Sequence, residues 1–182
     1  MRVYLAGPCV FLPDPVARGT ALKAICARHG LTGVYPLDPL EGEPQSWADL
    51  HEAFRISRRN EAHIASCDAL VANLMPFRGP SADVGTVFEL GFMRALGRPV
   101  FGWSNDARGF ADRTRAVTGV AGAADQDGML IEDFGLSDNL MIEGAIHASG
   151  GAMVLGACGP DDIWTSLVAF EACVARVRAL LG

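Results

Sequence analysis

The sequence lacks the features that would tie it to a nucleic acid, a membrane or an oxidising compartment. It has no run of Lys or Arg and no basic stripe; 15 basic residues stand against 21 acidic ones, for a formal net charge of −6. A polyanionic partner is therefore not expected, and no nucleic acid with it. No apolar stretch reaches the ~20 residues of a membrane span, so no membrane contact is expected either. Cys9, Cys26, Cys67, Cys158 and Cys173 are widely spaced, odd in number and without a C-x-x-C pair. That pattern suits a reducing compartment. The opening residues are broken at Gly7-Pro8, too early for a secretion signal. A cytoplasmic protein is the expectation.

Several catalytic signatures are missing as well. There is no G-x-x-x-x-G-K-[ST], no G-x-G-x-x-G after the first strand, no H-E-x-x-H and no G-x-S-x-G. Neither a metal nor a cofactor is expected. What the chain does have is a globular composition, 50% apolar and 20% charged, without the signs of disorder. Its 182 residues suit one domain, taken as 1–182.

Hydrophobic patterning gives the layout. Arg2 to Ala6 reads as a short buried strand. Asp14 followed by Pro15 opens a helix that stops near Gly30. Leu31 to Tyr35 is a second strand, and Ser46 can cap a long helix from Trp47 to about Ser66. Asp68 to Leu74 is apolar but for Asp68 and Asn73, as suits a central parallel strand. A helix then runs to Leu96, and Pro99 to Trp103 is a fourth strand. From Ser104 to Gly151 the pattern weakens, and loops with short elements are expected. A strand near Ala152–Leu155 and a terminal helix on Ile163, Leu167, Phe170, Val174, Val177 and Leu181 complete the chain. This alternation predicts an α/β fold, a doubly wound parallel sheet with helices on both faces. Such sheets bind ligands beyond the carboxyl ends of their strands, here at the Gly7-Pro8 loop and the Met75–Ala82 loop.

The segment Phe77-Arg78-Gly79-Pro80-Ser81-Ala82-Asp83-Val84-Gly85-Thr86-Val87-Phe88-Glu89-Leu90-Gly91 follows the third strand and places two acids six residues apart. Thr86 and Glu89 have the spacing of a capping box, with Asp83 as a further cap. A carboxylate early in a helix also feels the positive end of the dipole, which favours its ionised form. Asp68 fits a turn into the third strand, Tyr4 fits core packing, and Asn139 fits a loop.

Taken together these residues say more. Tyr-x-Ala-Gly-Pro at the first strand, Cys-Asp-Ala-x-Val-Ala-Asn at the third, then Phe-Arg-Gly, Asp-x-Gly-Thr-x-Phe-Glu-Leu-Gly and finally Asn-Leu-Met occur in order. The sequence resembles the nucleoside 2-deoxyribosyltransferase family over about residues 1 to 142, with 144–182 outside the resemblance. The resemblance implies a flavodoxin-like sheet and transfer of a 2-deoxyribosyl group between nucleobases, with a deoxynucleoside and a free base as small-molecule partners. It implies Glu89 as the nucleophile at C1', Tyr4 as its orienting partner and Asp68 as the acid and base toward the heterocycle. Asp83 is implied to hold sugar hydroxyls. Gly7, in the loop at the pocket, is expected to border the substrate, and Arg78 either approaches it or pins its loop to Asp83 or Asp38. Asn139 and Met141 are implied to reach the sugar site of a neighbouring subunit in a homo-oligomer.

The chemistry is consistent with those roles. Base exchange with retained configuration needs two inversions, hence a covalent glycosyl–carboxylate intermediate. A departing heterocycle needs a proton, so the two acids must differ in pKa. Two alternatives remain at this stage: an N-glycosidase acting on deoxynucleosides or their 5'-monophosphates, and a non-catalytic nucleoside sensor on the same fold.

Overall fold

The computed structural model describes all 182 residues. Strands β1 (Arg2–Ala6), β2 (Thr32–Val34), β3 (Ala69–Asn73), β4 (Val100–Ser104) and β5 (Met153–Leu155) form one sheet. Its order is β2-β1-β3-β4-β5 and every pairing is parallel. This is the flavodoxin-like order, in which the chain reverses its direction of progress between β1 and β3. Helices α1 (Pro15–Arg28), α2 (Glu52–Ala65), α3 (Val84–Ala95), α4 (Phe110–Thr118), α5 (Leu140–Ala148) and α6 (Val168–Leu181) connect and cover the strands. No helix is long and apolar enough to cross a membrane.

Strand alternation divides the interior into two cores. Val3 and Leu5 of β1, with Ala69 and Val71 of β3, pack against Leu22 and Cys26 of α1 and Phe170 and Val174 of α6. The intervening residues, Tyr4, Ala6, Leu70 and Ala72, face Ile64 of α2, Leu90 of α3 and Ile146 of α5. Because side chains alternate along a strand, Tyr4 is committed to the α2–α3 face. Each fully buried Leu, Ile or Phe in these cores contributes roughly 1.5–3 kcal/mol.

Local sequence explains most helix starts. Asp14 accepts from Ala17 N–H at 2.9 Å, and Pro15 occupies the first helical position, as expected. Asp83 caps α3 in the same way, accepting from Thr86 N–H at 3.0 Å. The Thr86–Glu89 capping box is therefore not formed: Thr86 already lies inside the helix. Helix α2 starts later than the sequence suggests. His51, not Ser46, accepts the first free N–H, from Ala53, while Gln45–Trp47 is a short 3-10 turn. The stretch expected as loops with short elements contains the two short helices α4 and α5, and the terminal helix begins at Val168. The expected strand near residue 153 is β5 at the sheet edge.

One buried polar knot ties the loop after β3 to α5. Asp138, fully buried, accepts from Ser81 Oγ at 2.5 Å and Ala82 N–H at 3.0 Å. It also lies 3.5 Å from the buried Arg113 guanidinium, which donates to the Ser137 carbonyl. Removing one member of a buried ion pair leaves an uncompensated charge and costs about 3–5 kcal/mol. Asp138→Ala is therefore expected to lower unfolding free energy by about that amount. Urea denaturation of the two proteins measures it.

Candidate active site

Beside the carboxyl ends of β1 and β3 lies a hollow of about 150 Å³, lined by Gly7, Phe11, Asn60, Asp83, Thr86 and Glu89 among others. Gly7 follows β1 and Asp83 closes the loop after β3, so the hollow lies at the reversal point of the sheet. A second hollow of about 220 Å³ opens between α2 and α3 and shares Asn60, Gly85 and Glu89 with the first. Gly7 is required where it stands. Its φ is 146°, and a Cβ there would sit 2.6 Å from the Asn73 Cβ. Only a glycine lets β1 end this close to β3.

Glu89 projects from α3 toward β1, and the Tyr4 hydroxyl donates to its Oε1 at 2.7 Å. Burial raises the Glu89 carboxyl from the ordinary glutamate range to about 7, against the Tyr4 hydrogen bond, which lowers it; nearby Asp83 adds a smaller upward push. Glu89 lies in the second turn of α3, so desolvation, not the helix dipole, governs its ionisation. Burial and the Glu89 charge drive the Tyr4 hydroxyl strongly upward, so it remains a donor. A half-buried carboxyl oriented by one phenol, with a free oxygen facing a cavity, is equipped to act as a nucleophile or base.

Asp83 spends Oδ2 on Thr86, accepting from both its N–H and Oγ1 at 3.0 Å. Tyr4, Glu89, Asp83 and Gly7, all expected at the site, are thus brought together. Asn60 was not anticipated. Its buried Oδ1 has no hydrogen-bond partner, a state that costs roughly 1–3 kcal/mol. On the sequence it was one more polar residue of a long helix, and only the packing of α2 against α3 discloses it.

Asp68 is a correction. It precedes β3 at the amino edge of the sheet, is exposed, and its Oδ2 accepts from Arg2 N–H at 2.8 Å. From Arg2 to Gly7 the strand advances five residues, roughly 16 Å at about 3.3 Å each. In a parallel sheet the residue before a strand lies at the opposite end from the loop after it. Asp68 therefore does not reach Glu89, and its expected proton exchange with a base is withdrawn.

Three further residues lie around the site without lining its hollow. The Arg78 guanidinium rests 4.6 Å from the Phe77 ring centre and 5.3 Å from that of Phe11. Its φ of 58° places it in the left-handed region. Phe11 stacks on Phe77 at 5.4 Å, and Trp164 meets Phe77 edge-on at 6.4 Å. Asn139 caps α5, accepting from Met141 N–H at 3.0 Å and donating to Glu132 at 2.7 Å. With Met141 it borders an apolar groove of about 580 Å³ along Val84, Val87 and Gly91, on the other flank of α3 from Glu89.

The raised Glu89 value makes a stability prediction. Unfolded, the group ionises near 4.5; folded, near 7. Below the first value both states are protonated, and above the second the folded chain holds a carboxylate that burial disfavours. Glu89→Gln should therefore gain melting temperature relative to the parent as pH rises from 5 to 8. Thermal melts at both pH values read this directly, and an unchanged difference would contradict it.

Residues 3–141 match the family described as Nucleoside 2-deoxyribosyltransferase. An uncharacterized protein of Schizosaccharomyces pombe is 33% identical, over 82% of this chain and 78% of that protein. The solved 2-desoxiribosyltransferase from Leishmania mexicana is 30% identical and superposes with a TM-score of 0.66, covering 98% of this chain and 97% of its own. A conserved protein from Enterococcus faecalis V583, 20% identical, shares the fold at a TM-score of 0.60, with 97% and 98% covered. Fold and sequence agree: the chain belongs to the nucleoside 2-deoxyribosyltransferase family, a family of glycosyl-transferring enzymes.

Proposed function

We propose that this enzyme transfers a 2-deoxyribosyl group between nucleobases through a glycosyl ester on Glu89. The Tyr4–Glu89 pair at the sheet's reversal point is the observation that carries the proposal. Glu89 attacks C1' as the C1'–N bond breaks, and the bonding pair leaves with the heterocycle. An incoming base then displaces the carboxylate from the opposite face, so configuration is retained. Tyr4 holds the carboxylate in line and stabilises the charge that returns to it. Asp83, with Oδ2 occupied by Thr86, accepts from a sugar hydroxyl through Oδ1. Gly7 lets the sugar approach the backbone, and Arg78 stands at the rim on Phe11.

The homo-oligomer belongs to the same proposal. Asn139 and Met141 face away from their own Glu89, and Met141 is 72% exposed on the apolar groove. In an assembly they complete the sugar site of a neighbouring subunit. A deoxynucleoside is a better substrate than its 5'-monophosphate. The Ser81 hydroxyl is already donated to Asp138, and Asp83 and Glu89 would repel a phosphate.

Mixed with a 2'-deoxynucleoside and a second free base, the protein should yield the exchanged deoxynucleoside, resolved by chromatography. Free base without exchange would make it a hydrolase, and no reaction with any donor would leave a sensor. Glu89→Gln should lower the rate roughly 10⁴-fold. Activity should rise with pH through about 7 as Glu89 ionises. In Tyr4→Phe that limb should move upward, because the lost hydrogen bond favoured the carboxylate.

A further inference from the structure

Asn73, the last residue of β3, is a polar side chain at the reversal point of the sheet that the proposed chemistry does not use. It follows four apolar residues, Ala69 to Ala72, and is 2% exposed. A carboxamide buried in that setting persists where its donors and acceptor find partners. Its Oδ1 accepts from Met75 N–H at 3.0 Å, which turns the chain out of β3. Its Nδ2 donates to Cys9 Sγ at 3.2 Å. Cys9 is buried in the 3-10 turn Pro8–Phe11 that follows Gly7. One amide therefore grips the start of the loop after β1 and the start of the loop after β3. The strand register agrees. Ala6 pairs with Ala72, so Gly7 and Asn73 are the next residues out, and Gly7 passes directly against the Asn73 Cβ.

Both loops supply the lining of the hollow beside Glu89. Gly7, Val10 and Phe11 come from the first, and the second leads to Asp83 and into α3 with Thr86 and Glu89. Asn73 lines neither this hollow nor its neighbour between α2 and α3, so it does not touch a ligand held there. We propose that Asn73 is a positioning residue: its carboxamide clamps the two loops together, so that Gly7 and Phe11 from one and Asp83 from the other keep the spacing that sets a sugar before Glu89. This rests on the glycosyl transfer proposed above and names what fixes the dimensions of its site. The loops meet again at the surface, where Phe11 stacks on Phe77 at 5.4 Å. Phe11 is more than half exposed there, whereas the buried carboxamide bonds where water does not compete. A displacement of about 1 Å at a reacting centre costs on the order of 10²-fold in rate. A bond too weak to decide folding can therefore decide turnover.

Variants on the Cys9 side separate positioning from mere support. Cys9→Ala removes the acceptor and leaves the Met75 bond in place, and Cys9→Ser returns an acceptor. Cys9→Ala should lower kcat for base transfer about 10- to 100-fold, with KM for the deoxynucleoside held within about threefold. Cys9→Ser should recover most of the loss. The double variant with Asn73→Ala should be no slower than Asn73→Ala alone, because both changes break the same bond. An unchanged kcat per folded molecule with only a lowered melting temperature would mark a structural role and overturn the proposal. Losses that multiply in the double variant, or Cys9→Ser no faster than Cys9→Ala, would overturn it too. Amide hydrogen exchange reads the clamp without turnover. In Cys9→Ala the amides of residues 75–82 should exchange about tenfold or more faster, together with those of residues 9–12; a change confined to residues 9–12 would show that no clamp exists. If the parent transfers no base from any donor, the glycosyl transfer fails, while hydrogen exchange still decides the clamp.

Discussion

The 2.7 Å bond from Tyr4 to Glu89 joins a strand in the middle of the sheet to a helix that covers it. Its two ends depend on different parts of the structure. Tyr4 faces Glu89 because it occupies an even position of β1, between Val3 and Leu5, which face the other core. Glu89 reaches Tyr4 because Asp83 fixes the first turn of α3 and Leu90 and Met93 seat that helix on the sheet. A shift of one residue in β1 would turn the phenol to the wrong face. The geometry of the site is thus inherited from the packing of the fold.

The electrostatics follow from the same arrangement. Desolvation raises the Glu89 carboxyl, while the Tyr4 hydrogen bond restrains the rise. The opposition leaves the group near neutrality, where both protonation states are accessible. Burial alone would keep it protonated, and a fully hydrated position would leave a weakly basic carboxylate. Asp83, six residues before it, commits Oδ2 to the Thr86 N–H and Oγ1.

Much of this was legible in the sequence. The parallel α/β fold and the first helix with its Asp14–Pro15 start follow from hydrophobic patterning and capping residues, whereas the gathering of Tyr4, Asp83 and Glu89 was implied by the family resemblance, with Gly7 at the end of the first strand. Three things were not. Asp68 was misplaced because nearness to a motif in sequence says nothing about which end of a strand a residue occupies. Asn60 was overlooked because its significance lies in a missing partner, which exists only once α2 meets α3. Helices α4 and α5 were obscured because their stability comes from burial of Ile142 and Ile146 and from the Asp138 knot, not from strong local periodicity.

Helix α6 touches no reacting group, yet it supplies Phe170, Cys173, Val174 and Val177 to the core beneath β1, β3 and β4. The family model matches residues 3–141, so α6 lies beyond it, although the Leishmania mexicana enzyme superposes over 98% of the chain. The segment leading into α6 also carries Trp164, which abuts the aromatic pair at the cavity mouth. Chemistry and scaffold are therefore not separable modules here: the motif-bearing portion leaves its core open without α6, and the tail that carries no motif is its keel.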